Sequence, residues 1–128
     1  MAAAALALEE GAKVLGVDIA SAPQSLEKHK NYHFFHGNLA HPSTAHAIVE
    51  HCLELFGGRI DVLLNVAGVM DNNSSANTLT DEMWDRCISV NLTAPTKLIR
   101  AVLPTMQKQK AGSIVNVSSK AGIHGQYD

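Results

Sequence analysis

The sequence has 128 residues, 46% apolar and 17% charged, which suits one domain with a real core and excludes disorder and fibrous repeats. A formal charge of −2 argues against a nucleic-acid or polybasic membrane surface. No apolar run approaches the ~18 residues of a membrane span, and the Ala-rich start runs into Glu9 and Glu10 without the basic segment of a signal peptide, so a soluble, cytoplasmic protein is expected.

Ala2–Glu10 is built of good helix formers, and Gly11 stands where a C-terminal cap belongs. Val14-Leu15-Gly16-Val17 is too short for a helix, ends in Asp18 and predicts a strand. Tyr32–His36, closed by Gly37, predicts a second. Ala45, Ile48, Val49, Cys52, Leu53 and Phe56 recur at helical spacing, with Gly57-Gly58 as the stop. Asp61–Val66 predicts a third strand, and residues 71–78 a polar loop. Thr80 is the expected N-cap of a long helix reaching Gln107, with Asp81 and Glu82 in the first turn where the helix dipole favours them. Ser113–Val117, opened by Gly112, predicts a fourth strand. Short strands alternating with amphipathic helices imply a doubly wound parallel α/β sheet.

Cys52 and Cys87 fall on apolar helix faces and are expected as reduced core thiols. His41, His46 and His51 are spaced by five, which turns each about 140° from the last on a helix. His33 and His36 face opposite sides of a strand. No set converges, so no metal site is expected. Asn91 interrupts a stripe of Trp84, Cys87, Ile88, Ala94, Leu98, Ile99 and Val102, so it is expected buried and therefore hydrogen-bonded. Pro95, four residues on, has no N–H for the Asn91 carbonyl.

In such sheets ligands bind beyond the C-terminal strand ends, which here carry Asp18, Gly37-Asn38-Leu39, Asn65-Val66-Ala67-Gly68 and Ser118-Ser119. Three segments, in order, carry a family resemblance. They are Asn65-Val66-Ala67-Gly68, the run Trp84 to Thr93 around Asn91, and Gly112-Ser113-Ile114-Val115-Asn116-Val117-Ser118-Ser119-Lys120-Ala121-Gly122. Together they resemble the short-chain dehydrogenase/reductase family over almost the whole chain. The resemblance implies a Rossmann-like fold and an NAD(P)-dependent oxidoreductase passing hydride between nicotinamide and an alcohol or ketone. It implies that Ser119 orients the substrate carbonyl and that Asn91 holds a water in a proton relay. It implies cofactor contacts at Asp18, Asn38, Leu39, Asn65, Ala67 and Gly68, with Asn38 standing where the family has Asp.

Each residue also has a plainer role open to it: a helix cap or surface acid for Asp18, turn chemistry for Asn38, Asn65 and Gly68, a satisfied core amide for Asn91. A carboxylate at Asp18 would bond ribose hydroxyls and repel a 2′-phosphate, so NAD is expected over NADP, which is not excluded. Lys120 is expected as a solvated charge. Neither G-x-x-x-G-x-G nor G-x-G-x-x-G nor Tyr-x-x-x-Lys occurs in the 128 residues, and Tyr127, too close to Ser119, is assigned no role. The expectation is therefore an incomplete fold: residues 1–128 as one partial NAD(P)-binding domain, inactive alone and homo-oligomeric in a longer form. The alternative is a non-catalytic remnant that acts through protein–protein association.

Overall fold

Alternation of short apolar runs with helical stripes folds as expected into α/β units. The computed structural model describes residues 2–122. The chain divides into two compact units, Met1–Arg59 and Ile60–Asp128.

The first unit runs α1 (Ala2–Glu9), β1 (Val14–Asp18), α2 (Gln24–Glu27), β2 (Tyr32–His36) and α3 (Thr44–Leu55). β1 and β2 are parallel, registered from Val14↔Tyr32 to Asp18↔His36. Alternation along a strand puts Gly16, Asp18, Tyr32, Phe34 and His36 on one face. Leu8 of α1, Leu26 of α2 and Tyr32 form the buried core there, with Val14 and Phe34 packed against it. His33 and Phe35, on the other face, meet the α3 side, where their rings lie 5.8 Å from those of Phe56 and His51. Ala45, Ile48 and Val49 of the predicted helical stripe are buried. Cys52 is only half-buried, though burial still pushes its thiol up from the usual range. Gly57, just past α3, has φ 68°, backbone that favours a residue without Cβ. The single turn α2 was not legible, since four residues are too few to show a period.

The second unit runs β3 (Val62–Asn65), α4 (Asp81–Ile88), a π-helical turn (Ser89–Thr93), α5 (Ala94–Gln109), β4 (Ser113–Asn116) and a 3₁₀ turn (Lys120–Gly122). β3 and β4 are parallel, from Val62↔Ser113 to Asn65↔Asn116. Ala94, Leu98, Val102 and Met106 are the buried stripe of α5. Thr80 caps α4 as expected, its hydroxyl accepting from the Met83 N–H at 3.3 Å. The one long helix expected from Asp81 to Gln107 is instead broken by the π turn. Pro95 cannot donate to the Asn91 carbonyl, and the chain widens to i→i+5 bonding: the Ala94 N–H donates to the Ser89 carbonyl.

That widening corrects the predicted stripe. A π turn rotates what precedes it by about a quarter turn relative to an unbroken helix. Trp84 is accordingly 56% exposed, Asn91 is exposed, and Cys87 is half-buried rather than in the core. Among the described residues the strands make two parallel pairs, β1–β2 and β3–β4, rather than one sheet. Both pairs are neighbours in the doubly wound order 3-2-1-4-5-6 when the four strands take places two to five. The doubly wound α/β class is borne out, in incomplete form.

Candidate functional site

Asp18 ends β1 with its side chain exposed. One carboxylate oxygen accepts from the Ala20 N–H at 2.9 Å, which closes the turn after the strand. Its backbone carbonyl accepts from the Gly37 N–H, also at 2.9 Å, tying the two strand ends together. A carboxylate has about four lone-pair sites, so acceptor capacity remains. Beside Asp18 on the same face opens a cavity of about 130 Å³ lined by Gly16, Ser21, Leu26, Tyr32 and Phe34 among others. The Tyr32 phenol lies where a Cβ on residue 16 would stand, which is why glycine is found there. Burial, and then the negative charge of Asp18, push that phenol above its usual 10.0. Asn38 is exposed, and its side-chain oxygen accepts from the Ala40 N–H at 3.0 Å in its own turn, while Leu39 is half-buried.

In the second unit Asn65 is buried, 8% exposed, at the end of β3. Its Nδ2 donates to Asn116 Oδ1 at 2.8 Å, so an amide pair locks β3 to β4 at their C-terminal ends. Ala67 and Gly68 follow, both exposed. A Cβ on Gly68 would lie 3.5 Å from Asn91 Oδ1, which places Asn91 over this turn. Although exposed, Asn91 is paired as expected. Its Oδ1 accepts from the Val69 N–H at 2.8 Å, and its Nδ2 donates to the Val69 carbonyl at 2.9 Å. One side-chain amide thus grips both backbone groups of the residue after Gly68, as a neighbouring strand would.

Ser119 is exposed beyond β4. Its Oγ accepts from the Ala121 N–H at 3.2 Å, and its carbonyl accepts from the Gly122 N–H at 3.0 Å. The hydroxyl proton stays available to a carbonyl oxygen, because a hydroxyl both donates and accepts. Lys120 is exposed, and Tyr127 lies outside the described residues. Among the described residues no three of His, Cys, Asp and Glu lie together to hold a metal.

Sequence reasoning missed two contacts. His36 donates to the Ile19 carbonyl at 2.8 Å. Gln109 grips Ile60 as Asn91 grips Val69: its Oε1 accepts from the Ile60 N–H at 2.9 Å, and its Nε2 donates to the Ile60 carbonyl at 2.8 Å. Both partners are backbone atoms far away in sequence, which no side-chain pattern announces.

The sequence model of the family described as short chain dehydrogenase matches residues 1–127. The chain belongs to the short chain dehydrogenase family. One similar relative is "Short chain dehydrogenase adrF" of Penicillium roqueforti, 58% identical over 98% of this chain and 49% of its own length. The chain therefore spans about half the length of the curated relatives it matches. Among solved structures it resembles "4-hydroxyisoleucine dehydrogenase complexed with NADH", at TM-score 0.80 and 28% identity, covering 98% of this chain and 52% of that one. "ElxO with NADP Bound", at TM-score 0.85 and 23% identity over 96% and 52%, shares the fold.

Taken unit by unit, an exposed carboxylate stands at a strand end in the first, and an exposed turn without Cβ follows a strand end in the second, both groups of the kind a dinucleotide contacts. No described helix is long and apolar enough to cross a membrane.

Proposed function

We propose that these residues serve an NAD(P)-dependent oxidoreductase that interconverts an alcohol and a ketone. The observation that carries this reading is the arrangement at the end of β3. Asn65 is tied to Asn116, Gly68 is exposed, and Asn91 clamps Val69 directly after Gly68, so the three motif residues gather around the turn that follows β3, held by two separate sets of hydrogen bonds. When bound, the nicotinamide group supplies or accepts the hydride. Ser119 donates its hydroxyl proton to the substrate carbonyl oxygen and polarises it. Asn91, held rigid by Val69, orders a water for proton relay. Asn65, Ala67 and Gly68 leave the backbone open to close approach by the cofactor.

The first unit carries the residues for the adenosine end. Asp18 accepts from the ribose hydroxyls and disfavours a 2′-phosphate, so NAD is proposed as the preferred cofactor, with NADP its competitor. Asn38, through the Nδ2 that its turn leaves unused, and Leu39 are proposed beside the adenine. A cytoplasmic homo-oligomer is part of the same proposal, and the exposed Trp84, Leu92 and Leu103 along α4 to α5 support the assembly.

Neither a glycine-rich loop nor Tyr-x-x-x-Lys occurs in the 128 residues. By themselves they are proposed to show no turnover, since loss of the general acid–base group alone costs about 10²–10⁴ in rate. The test is therefore made on the protein expressed from its complete transcript, alongside the 128-residue chain, with a panel of secondary alcohols and ketones and both dinucleotides. Turnover by the former, abolished by Ser119→Ala without loss of folding, is the expected result. Turnover untouched by Ser119→Ala would overturn the assignment.

A further inference from the structure

Asp18 can read a ribose only if its carboxylate is held still, and packing does not hold it. It is exposed, and Ile19 beside it is 67% exposed. Three hydrogen bonds tie the turn. The Ala20 N–H donates to the Asp18 carboxylate, the Gly37 N–H to the Asp18 carbonyl, and His36 Nε2 lies 2.8 Å from the Ile19 carbonyl. A carbonyl oxygen only accepts, so Nε2 carries the proton and the imidazole is the donor. Of these three bonds, only the last comes from a side chain on the neighbouring strand.

Register explains how it reaches. His36 is the direct partner of Asp18 across the parallel pair, on the same face. We propose that His36 is a positioning residue, which pins the turn after β1 so that the Asp18 carboxylate meets the adenosine ribose of the dinucleotide.

This inference rests on the proposed cofactor role of Asp18. The bond lies at the surface, where water replaces a lost partner at little net cost, so fold stability gives little reason for it. Its effect belongs on the ligand, where a loosened carboxylate must be ordered again at each binding event.

The experiment uses the protein expressed from its complete transcript, in four forms: unaltered, His36→Leu, His36→Gln and Asp18→Ala. NADH and NADPH are titrated by fluorescence, and thermal midpoints are recorded. Glutamine carries an N–H about as far out as His Nε2 and should restore the bond. The expected result is about fivefold weaker NADH binding in His36→Leu, with NADPH affinity and the thermal midpoint unmoved, and recovery in His36→Gln. If His36→Leu leaves NADH affinity unchanged while Asp18→Ala weakens it, the role of His36 is overturned and that of Asp18 stands. Equal loss for both dinucleotides with a lowered midpoint would show a merely structural bond and also overturn the proposal. If the unaltered protein binds neither dinucleotide, the cofactor reading falls and this inference with it.

Discussion

Asn65, at the end of β3, and Asn91, in the π turn that lies over the loop after β3, are both amides but meet different surroundings. Asn65 is buried and bonded to one side chain across the strand pair. Asn65→Ala should therefore cost about 1–3 kcal/mol in chemical denaturation; a variant as stable as the parent would show that the tie is incidental. Asn91 is exposed and holds a backbone turn by two bonds. In an active protein, Asn91→Leu should lower kcat by more than its loss of stability accounts for. A variant that melts early yet turns over normally would leave Asn91 only the role of a clamp. Asn65 was legible from its place at a strand end, and Asn91 as an amide in need of partners because it interrupts an apolar stripe, although it is exposed rather than buried. Their partners were not: Asn116 was read as one more strand residue, and Val69 contributes only backbone. Gln109 went unseen for the same reason, since its grip on Ile60 is side chain to backbone across 49 residues.

Elements were easiest to read where one period governs the whole segment. β1, β2 and α3 appear within a residue or so of their expected bounds, since alternation and a 3.6-residue stripe are strong local signals. The helix through Asn91 was not, because the sequence showed Pro95 as a missing donor without showing how the chain would respond. Pro95→Ala restores that donor, so the π turn should tighten toward α-helix and draw Asn91 off Val69. The Val69 amide should then exchange faster with deuterium; unchanged protection would detach the π turn from the proline. In the first unit, Gly16→Ala puts a methyl group where the Tyr32 phenol lies. It should cost about 1–3 kcal/mol, and pairing it with Tyr32→Leu should recover part of the loss. The same phenol gives a pH dependence. Burial, reinforced by Asp18, raises its folded pKa, so above pH 10.0 the folded chain keeps a proton that the unfolded chain releases. Stability should then fall as pH rises past that point, and Tyr32→Phe should flatten the alkaline limb of a melting profile. An unchanged limb would remove Tyr32 as its cause.

At the scale of the molecule, the sequence was most informative about order: the segments around Asn65, Asn91 and Ser119 follow one another as in the short chain dehydrogenase family, whose sequence model matches residues 1–127. It was least informative about continuity, since pairing between strands is decided by contacts that no local pattern encodes, and the described strands form two parallel pairs. Within the second pair, the face bearing Val62, Leu64, Val66, Val115 and Val117 is exposed, as are the apolar side chains of Trp84 and Leu92 on the helical segment. The proposed contact of Asp18 with the adenosine ribose decides which dinucleotide the protein prefers. It is tested most directly by kcat/KM for NAD and for NADP in the protein expressed from its complete transcript, unaltered and as Asp18→Ala. The expected result is at least about a tenfold preference for NAD, lost in Asp18→Ala. A preference for NADP, or an NAD preference that survives Asp18→Ala, would contradict it.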